Sequence, residues 1–466
     1  MADQFGDRLA AIVGAKNVQR GEAIDQRYRL DLTGKYASRP GWAVRPGSTV
    51  EVSAVMRAAF EAAVPVTAIG GQSGTSGAAV PSDGGLALSL ERMNRVHEID
   101  PVSMTMDVEA GCILQIATEA AEAQGTFLPL DLGARGSAMI GGVIGTNAGG
   151  NRVVRWGMMR DMVIGLEAVL ADGTVVSSLT RMLKDNAGYH WKHLLIGSEG
   201  TLGIVTRAIL RLRPLPTTRQ TALIAAPSFD DMIRVMRRLE VSLSGQLSSF
   251  ELMWDDFYAV LTEAQLPQRP RPMALGHGIY ALVEAMGGNQ ALDAQMFEGA
   301  LAALMEEGLL ADAVIAQSDQ QREALWAVRE DLSPGFTPRR PFTAYDVSMA
   351  IARMPAFVEL ALANLKQVAP DATALFYGHA GDGNLHANVS NGRMDARIKA
   401  DFDTAIYRAV SDLGGSISAE HGIGLDRLPY IGMTRTAEEL ALMRTIKRAL
   451  DPKGLLNPGK VFGMEG

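Results

Sequence analysis

The stretch GGQSGTSGAAVP, residues 70–81, lies between two short apolar runs, VPVTAI and LALSL, each of which reads as a strand. Its first eight residues hold four glycines and three hydroxyl side chains. Backbone N–H groups in such a loop can surround a phosphate, and glycine lets the chain approach it closely. Ser73, Thr75 and Ser76 add side-chain donors. A Walker loop is excluded, because no Gly-Lys-Ser/Thr follows. The Rossmann fingerprint is excluded too, because Gly-x-Gly-x-x-Gly is missing and no helical pattern begins directly after the loop. Taken alone, the stretch reads equally well as a flexible surface loop.

A second cluster changes that balance. PLDLGARGSAMIGGVIGTNAGGN, residues 129–151, places five glycines between Gly141 and Gly150. SEGTLG, residues 198–203, adds a third. Three such loops suit a long ligand held against backbone, and a dinucleotide fits that description. The bland alternative is a glycine-rich packing segment.

Around these loops the chain alternates helices and strands. Ser48-Thr-Val-Glu51 is a capping box, and Val52, Val55, Met56, Ala59 and Phe60 recur at helical spacing before Pro65. MTMDVEAG reads as a strand and LQIATEAAEAQG as a helix ending at Gly125. VIGLEAVLADGTVVSS is two strands joined at Asp172-Gly173, a hairpin signal. After Pro214 and Pro216 the composition shifts to an α+β pattern with fewer glycine clusters. TAEELALMRTIKRAL carries a second capping box, from Thr436 to Glu439.

At 466 residues the chain is too long for a single core and should divide into domains. A net charge of −8 gives no electrostatic footprint for nucleic acid or anionic membrane. No run reaches the ~18 apolar residues of a membrane span, and the N-terminus lacks the basic start and apolar run of a signal peptide. The single cysteine, Cys112, rules out an internal disulfide. It lies among apolar neighbours, which favours a small core residue over a reactive thiol. These features fit a cytoplasmic protein, with peripheral attachment to the inner membrane left open.

Three of the seven histidines cluster near one carboxylate. FYGHAGDGNLHANV, residues 376–389, carries His379 and His386; AEHGIG, residues 419–424, carries Glu420 and His421. Two imidazoles and a carboxylate suit Zn²⁺ with one open position. The seven-residue spacing is not diagnostic, so histidines that merely hydrogen-bond within glycine-rich turns fit it as well.

Together these motifs resemble those of a known family. GGQSGTSGAAVP, PLDLGARGSAMIGGVIGTNAGG, RWGMMRDMVIGLEAVLADG, KDNAGYHWKHLLIGSEGTLGIV, GHAGDGNLHANV, EHGIG and LNPGKVF follow the order found in FAD-linked D-2-hydroxyacid dehydrogenases, flavoproteins of the vanillyl-alcohol oxidase/p-cresol methylhydroxylase (PCMH) type. The likeness runs from about residue 40 to the C-terminus and is strongest to the 2-hydroxyglutarate and lactate members. It implies an α+β fold: a PCMH-type FAD-binding domain of two α/β subdomains over residues 1–213, an α+β cap (substrate) domain over 214–424, and a segment, 425–466, returning to the FAD domain.

By the same resemblance, Gly70, Gly71, Gln72, Ser73, Gly74, Thr75, Ser76 and Gly77 would cradle the pyrophosphate. Pro129, Leu130, Asp131, Leu132, Gly133, Ser137, Gly141, Gly142, Thr146, Asn147, Ala148 and Gly149 would line the flavin and ribityl chain. Glu199, Gly200, Ile204 and Asn457 would complete the pocket. The first glycine loop has neither histidine nor cysteine, so the FAD should be noncovalent. His379, His386 and Glu420 would be ligands of Zn²⁺, with His421 at the substrate as general base; Glu420 as base is the rival assignment. The implied reaction takes a D-2-hydroxy acid to the 2-oxo acid, with hydride passing to flavin N5. Arg329 would hold the substrate carboxylate, where its charged surroundings otherwise suggest a solvent-facing helix residue, and Asn388 would contact substrate.

One departure stands out. The 2-hydroxyglutarate enzymes follow that arginine with a threonine and a lysine for the distal carboxylate, whereas this chain has Ser333 and Ala344. Arg339 or Arg340 could substitute, so D-2-hydroxyglutarate and D-lactate stay level as candidates. An electron-transfer flavoprotein or quinone would take the electrons, and a homodimer is expected. Alternatives are a flavin-binding electron-transfer subunit of a glycolate oxidase-like complex, and an oxidase using O₂ directly.

Overall fold

The computed structural model describes residues 2–463. Two compact units emerge: residues 1–150, 157–215 and 420–466 form the first, and residues 151–156 and 216–419 the second. The chain thus returns to the first unit at Glu420, ahead of the expected 424/425 boundary, and lends the short segment 151–156 to the second.

Among the described residues the first unit holds two larger sheets and a two-stranded pair, Thr126–Phe127 with Arg213–Pro214. In one, the order is Val18–Arg20, Trp42–Val44, Leu86–Ser89, Val66–Ile69, with the last three strands parallel. The helix Thr49–Ala62 makes the crossover between Trp42–Val44 and Val66–Ile69, capped by the Ser48 side chain accepting the Glu51 N–H. In the other, Val96–Asp100, Thr105–Glu109, Ile204–Arg211, Val163–Val169 and Val175–Ser178 pair antiparallel throughout. The tail returns beside Val66, whose N–H donates to Leu455 O and whose carbonyl accepts the Asn457 N–H, both at 2.8 Å.

The second unit is built on a seven-stranded antiparallel sheet ordered Asp312–Ile315, Thr218–Ala226, Ile279–Gly287, Leu247–Trp254, Thr373–His379, Asn384–Ser390, Thr343–Ser348. Strand alternation divides its side chains cleanly. Ala222, Ile224, Phe250, Leu252 and Val283 pack with the helices Phe229–Ser242 and Gln290–Glu306. Leu223, Ala225, Met253, Leu282, Leu375 and Tyr377 point the other way, toward Asp255–Gln265 and Asp319–Glu330. The second face also carries the polar residues of interest.

Candidate active site

Within the first unit the three glycine clusters meet. A Cβ on Gly71 would overlap the Ser137 carbonyl, so the first loop can lie against the second only as glycine. Gly70 sits 3.6 Å, by its would-be Cβ, from Gly142 Cα. Residues 140–146 of the second cluster form a helix, Ile140–Thr146, despite three glycines. Asn147 ends it in the left-handed region. Ser137, Gly141, Gly142 and Thr146 therefore lie at or on this helix, and Pro129–Gly133 precede it after the strand Thr126–Phe127. The third cluster bonds to the same helix, with the Glu199 N–H donating to Gly145 O at 2.8 Å. The Asn457 amide nitrogen donates to Ala78 O at 2.9 Å and Glu199 O at 2.7 Å, fastening the tail to the end of the first loop and to the third. A Cβ on Gly74, Gly142 or Gly145 would meet nothing within 4 Å, which fits a ligand lying against bare backbone.

The segment carrying Glu420 and His421 is fixed to these loops. Ser76 Oγ donates to His421 O at 3.0 Å, and Ser76 O accepts the N–H groups of Leu425 and Asp426. Glu420 Oε1 accepts the Gly150 N–H at 2.7 Å. Glu199, expected to touch the cofactor, directs its buried carboxylate to the N–H groups of Ile423, at 2.6 Å, and Gly424, at 2.8 Å. Burial pushes the Glu199 pKa up, against the opposing pull of those N–H bonds, Arg427 and Lys460.

In the second unit the histidines lie on strands and not in turns. His379 ends Thr373–His379, and His386 lies within Asn384–Ser390; Ala380–Gly383 make the hairpin turn between them. Register places His379 opposite Asn384, Tyr377 opposite His386 and Leu375 opposite Asn388. The seven-residue spacing is therefore a cross-strand diagonal. NLHANVS itself announces this by alternation: Leu385, Ala387 and Val389 are fully buried, while Asn384, His386 and Asn388 face the other way.

Neighbouring strands complete the face. Glu251 lies opposite His379, and Asp346 opposite His386. Glu251 Oε1 is 2.7 Å from His379 Nδ1, and its Oε2 pairs with Arg329 Nη2 at 2.9 Å. Burial alone would raise the Glu251 pKa; His379 and Arg329 outweigh it and hold the carboxyl below its ordinary value. A charged Glu251 only accepts, so His379 carries its proton on Nδ1 and turns the Nε2 lone pair outward. That Nε2 is 3.3 Å from His386 Nε2. Two imidazole nitrogens that close, one oriented by a buried carboxylate, can share one hydrogen bond or be offered together to a metal ion.

Arg329 is buried, not a solvent-facing helix residue; its guanidinium lies 4.7 Å over the Tyr377 ring and its Nε has no acceptor among the described residues. The Asn388 amide donates to the Tyr377 hydroxyl at 3.1 Å. Ser333 opens the short helix Ser333–Phe336 and is exposed. Glu251 and Tyr377 escaped the sequence reading. Glu251 has no local motif to mark it, whereas the position of Tyr377, two before His379 on the same strand, was a usable signal.

A family described as FAD linked oxidases, C-terminal domain, matches residues 215–461, and an FAD binding domain matches residues 40–178. A D-2-hydroxyglutarate dehydrogenase of Xanthomonas citri pv. viticola is 42% identical over 97% of this chain and 96% of its own. The mitochondrial D-2-hydroxyglutarate dehydrogenase of Bos taurus is 36% identical over 90% of this chain and 76% of its own. Among solved structures, p-cresol methylhydroxylase with substrate bound superposes with a TM-score of 0.77 at 17% identity, covering 98% of this chain and 96% of that one, a likeness of fold alone. The chain belongs to the FAD-linked oxidase family, as an FAD-dependent oxidoreductase of its D-2-hydroxyacid dehydrogenase branch.

Proposed function

We propose that the chain oxidises a D-2-hydroxy acid to the 2-oxo acid with FAD held noncovalently by the glycine loops, and that His379, His386 and Glu420 hold Zn²⁺. The observation that carries the metal assignment is the buried Glu251 carboxylate on His379 Nδ1, which leaves two Nε2 atoms 3.3 Å apart. The donor chemistry of the three side chains supports it. When bound, FAD supplies the hydride acceptor at N5, and Zn²⁺ supplies the Lewis acidity that lowers the pKa of the substrate hydroxyl.

The chain's own residues do the remaining work. Arg329, stacked on Tyr377 and tied to Glu251, offers its guanidinium to the substrate carboxylate. Asn388 orients the substrate beside Tyr377. His421 takes the hydroxyl proton as the general base. Ser76 holds the His421 carbonyl, and Glu199 holds the N–H groups of Ile423 and Gly424 just after it. Electrons then leave to an electron-transfer flavoprotein or a quinone.

An anaerobic screen of D- and L-2-hydroxy acids, following flavin absorbance, tests this reading. Bleaching by D-acids in wild type, and none in a yellow His421→Ala protein, is the expected result. Full bleaching of that variant would remove His421 from the mechanism.

A further inference from the structure

The sheet face bearing the histidines continues past them, and its far end is where the substrate's side chain would lie. One cross-strand row is Met253, Tyr377, His386 and Asp346; the next along the strands is Leu375, Asn388 and Ala344. Two residues along a strand span about 7 Å. Arg329 lies over Tyr377, and with a carboxylate on its guanidinium a side chain directed away from the histidines would run toward the second row. That row contains no lysine or arginine: it offers an isobutyl group, a neutral amide and a methyl.

An apolar cluster adjoins this row. Leu375 belongs to it with Leu325, Val328 and Phe336, and Phe342 packs against it. Arg339, one candidate for a second anion, donates from Nη1 to Gly335 O at 2.7 Å and is held there. The face thus provides a guanidinium for one carboxylate and apolar surface beyond it. A second carboxylate there would lie beside Leu375, Asn388 and Ala344, none of which carries a positive charge to pair with it.

We infer that the preferred substrates are D-2-hydroxy acids with a single carboxylate and a short or apolar side chain, and that Ala344 sets this preference. The inference rests on the oxidation proposed above. It separates this chain from relatives whose names specify the dicarboxylic 2-hydroxyglutarate.

The test compares steady-state kcat/KM, with an artificial dye as electron acceptor, for D-lactate, D-2-hydroxybutyrate, D-2-hydroxyisocaproate and D-2-hydroxyglutarate, using the full flavin-loaded chain. The best monocarboxylate should exceed D-2-hydroxyglutarate at least tenfold. Ala344→Lys should cut that ratio at least tenfold, chiefly by lowering KM for the dicarboxylate, while the neutral Ala344→Gln should not. A wild type that uses D-2-hydroxyglutarate as well as or better than every monocarboxylate would overturn the inference. So would an unchanged ratio in an Ala344→Lys protein that retains its flavin spectrum. If no D-2-hydroxy acid reduces the flavin, the proposed oxidation itself fails, a result distinct from a wrong preference.

Discussion

Glu251 and His379 face each other on adjacent antiparallel strands and join through Oε1 and Nδ1 at 2.7 Å. The carboxylate fixes both the tautomer and the ring orientation of His379. The substitution Glu251→Gln keeps the shape but removes the charge and lets the amide present either end to the ring. Zinc affinity should fall about 10–100-fold. Titration with a chelator, followed by metal analysis, reads this directly; wild-type affinity in the variant would detach Glu251 from the metal site.

Arg329 and Glu251 form a buried ion pair at 2.9 Å, and the guanidinium also covers Tyr377. A planar fork can serve Glu251 on one edge and a substrate carboxylate on another, which a point-charge ammonium cannot. Arg329→Lys should therefore raise KM at least tenfold in steady-state kinetics, with a smaller change in kcat. An unchanged KM would leave Arg329 only its role beside Glu251.

These two pairings mark the limit of what the sequence discloses. Local signals were legible because their causes are local: the Ser48 and Thr436 caps start helices, and Asp172-Gly173 turns the hairpin between Val163–Val169 and Val175–Ser178. The helix Ile140–Thr146 was not, since glycine disfavours helix; it is fixed by contacts such as the Gly141 N–H donating to Ala110 O. Of the two carboxylates that orient the site, Glu251 was hidden, and Glu199 was named by the resemblance only as a pocket residue, not for its grip on the later loop. Glu251 meets a histidine 128 residues away through strand order, and Glu199 meets Ile423 across 224 residues. Neither separation leaves a trace in spacing or periodicity.

Glu199 grips the loop that follows His421 so closely that a Cβ on Gly422 would stand 2.7 Å from its Oε1. Glu199→Gln exchanges one acceptor for a donor opposite a backbone N–H, which costs about 1–3 kcal/mol of local stability. Flavin should still bind, while the rate constant for flavin reduction falls at least tenfold and the substrate Kd moves little, because Arg329 and Asn388 are untouched. Stopped-flow reduction of the yellow variant measures both, and a wild-type rate constant would show that His421 does not depend on this clamp.

Lys460 lies buried in the same unit, and burial pushes its pKa down from 10.5 to about 8, with Glu199 pulling the other way. Between pH 8 and 10.5 the native state therefore holds fewer protons at this side chain than the unfolded chain does. Stability from this group rises with pH across that window; below pH 8 both states are charged and the cost of burial is felt in full. Over the part of the window from pH 8 to 9.5 the gain is about 1–2 kcal/mol. Urea unfolding of wild type and Lys460→Met at both ends of that range isolates the contribution. The variant should lose this rise, and parallel pH slopes in the two proteins would mean that Lys460 titrates normally in the fold.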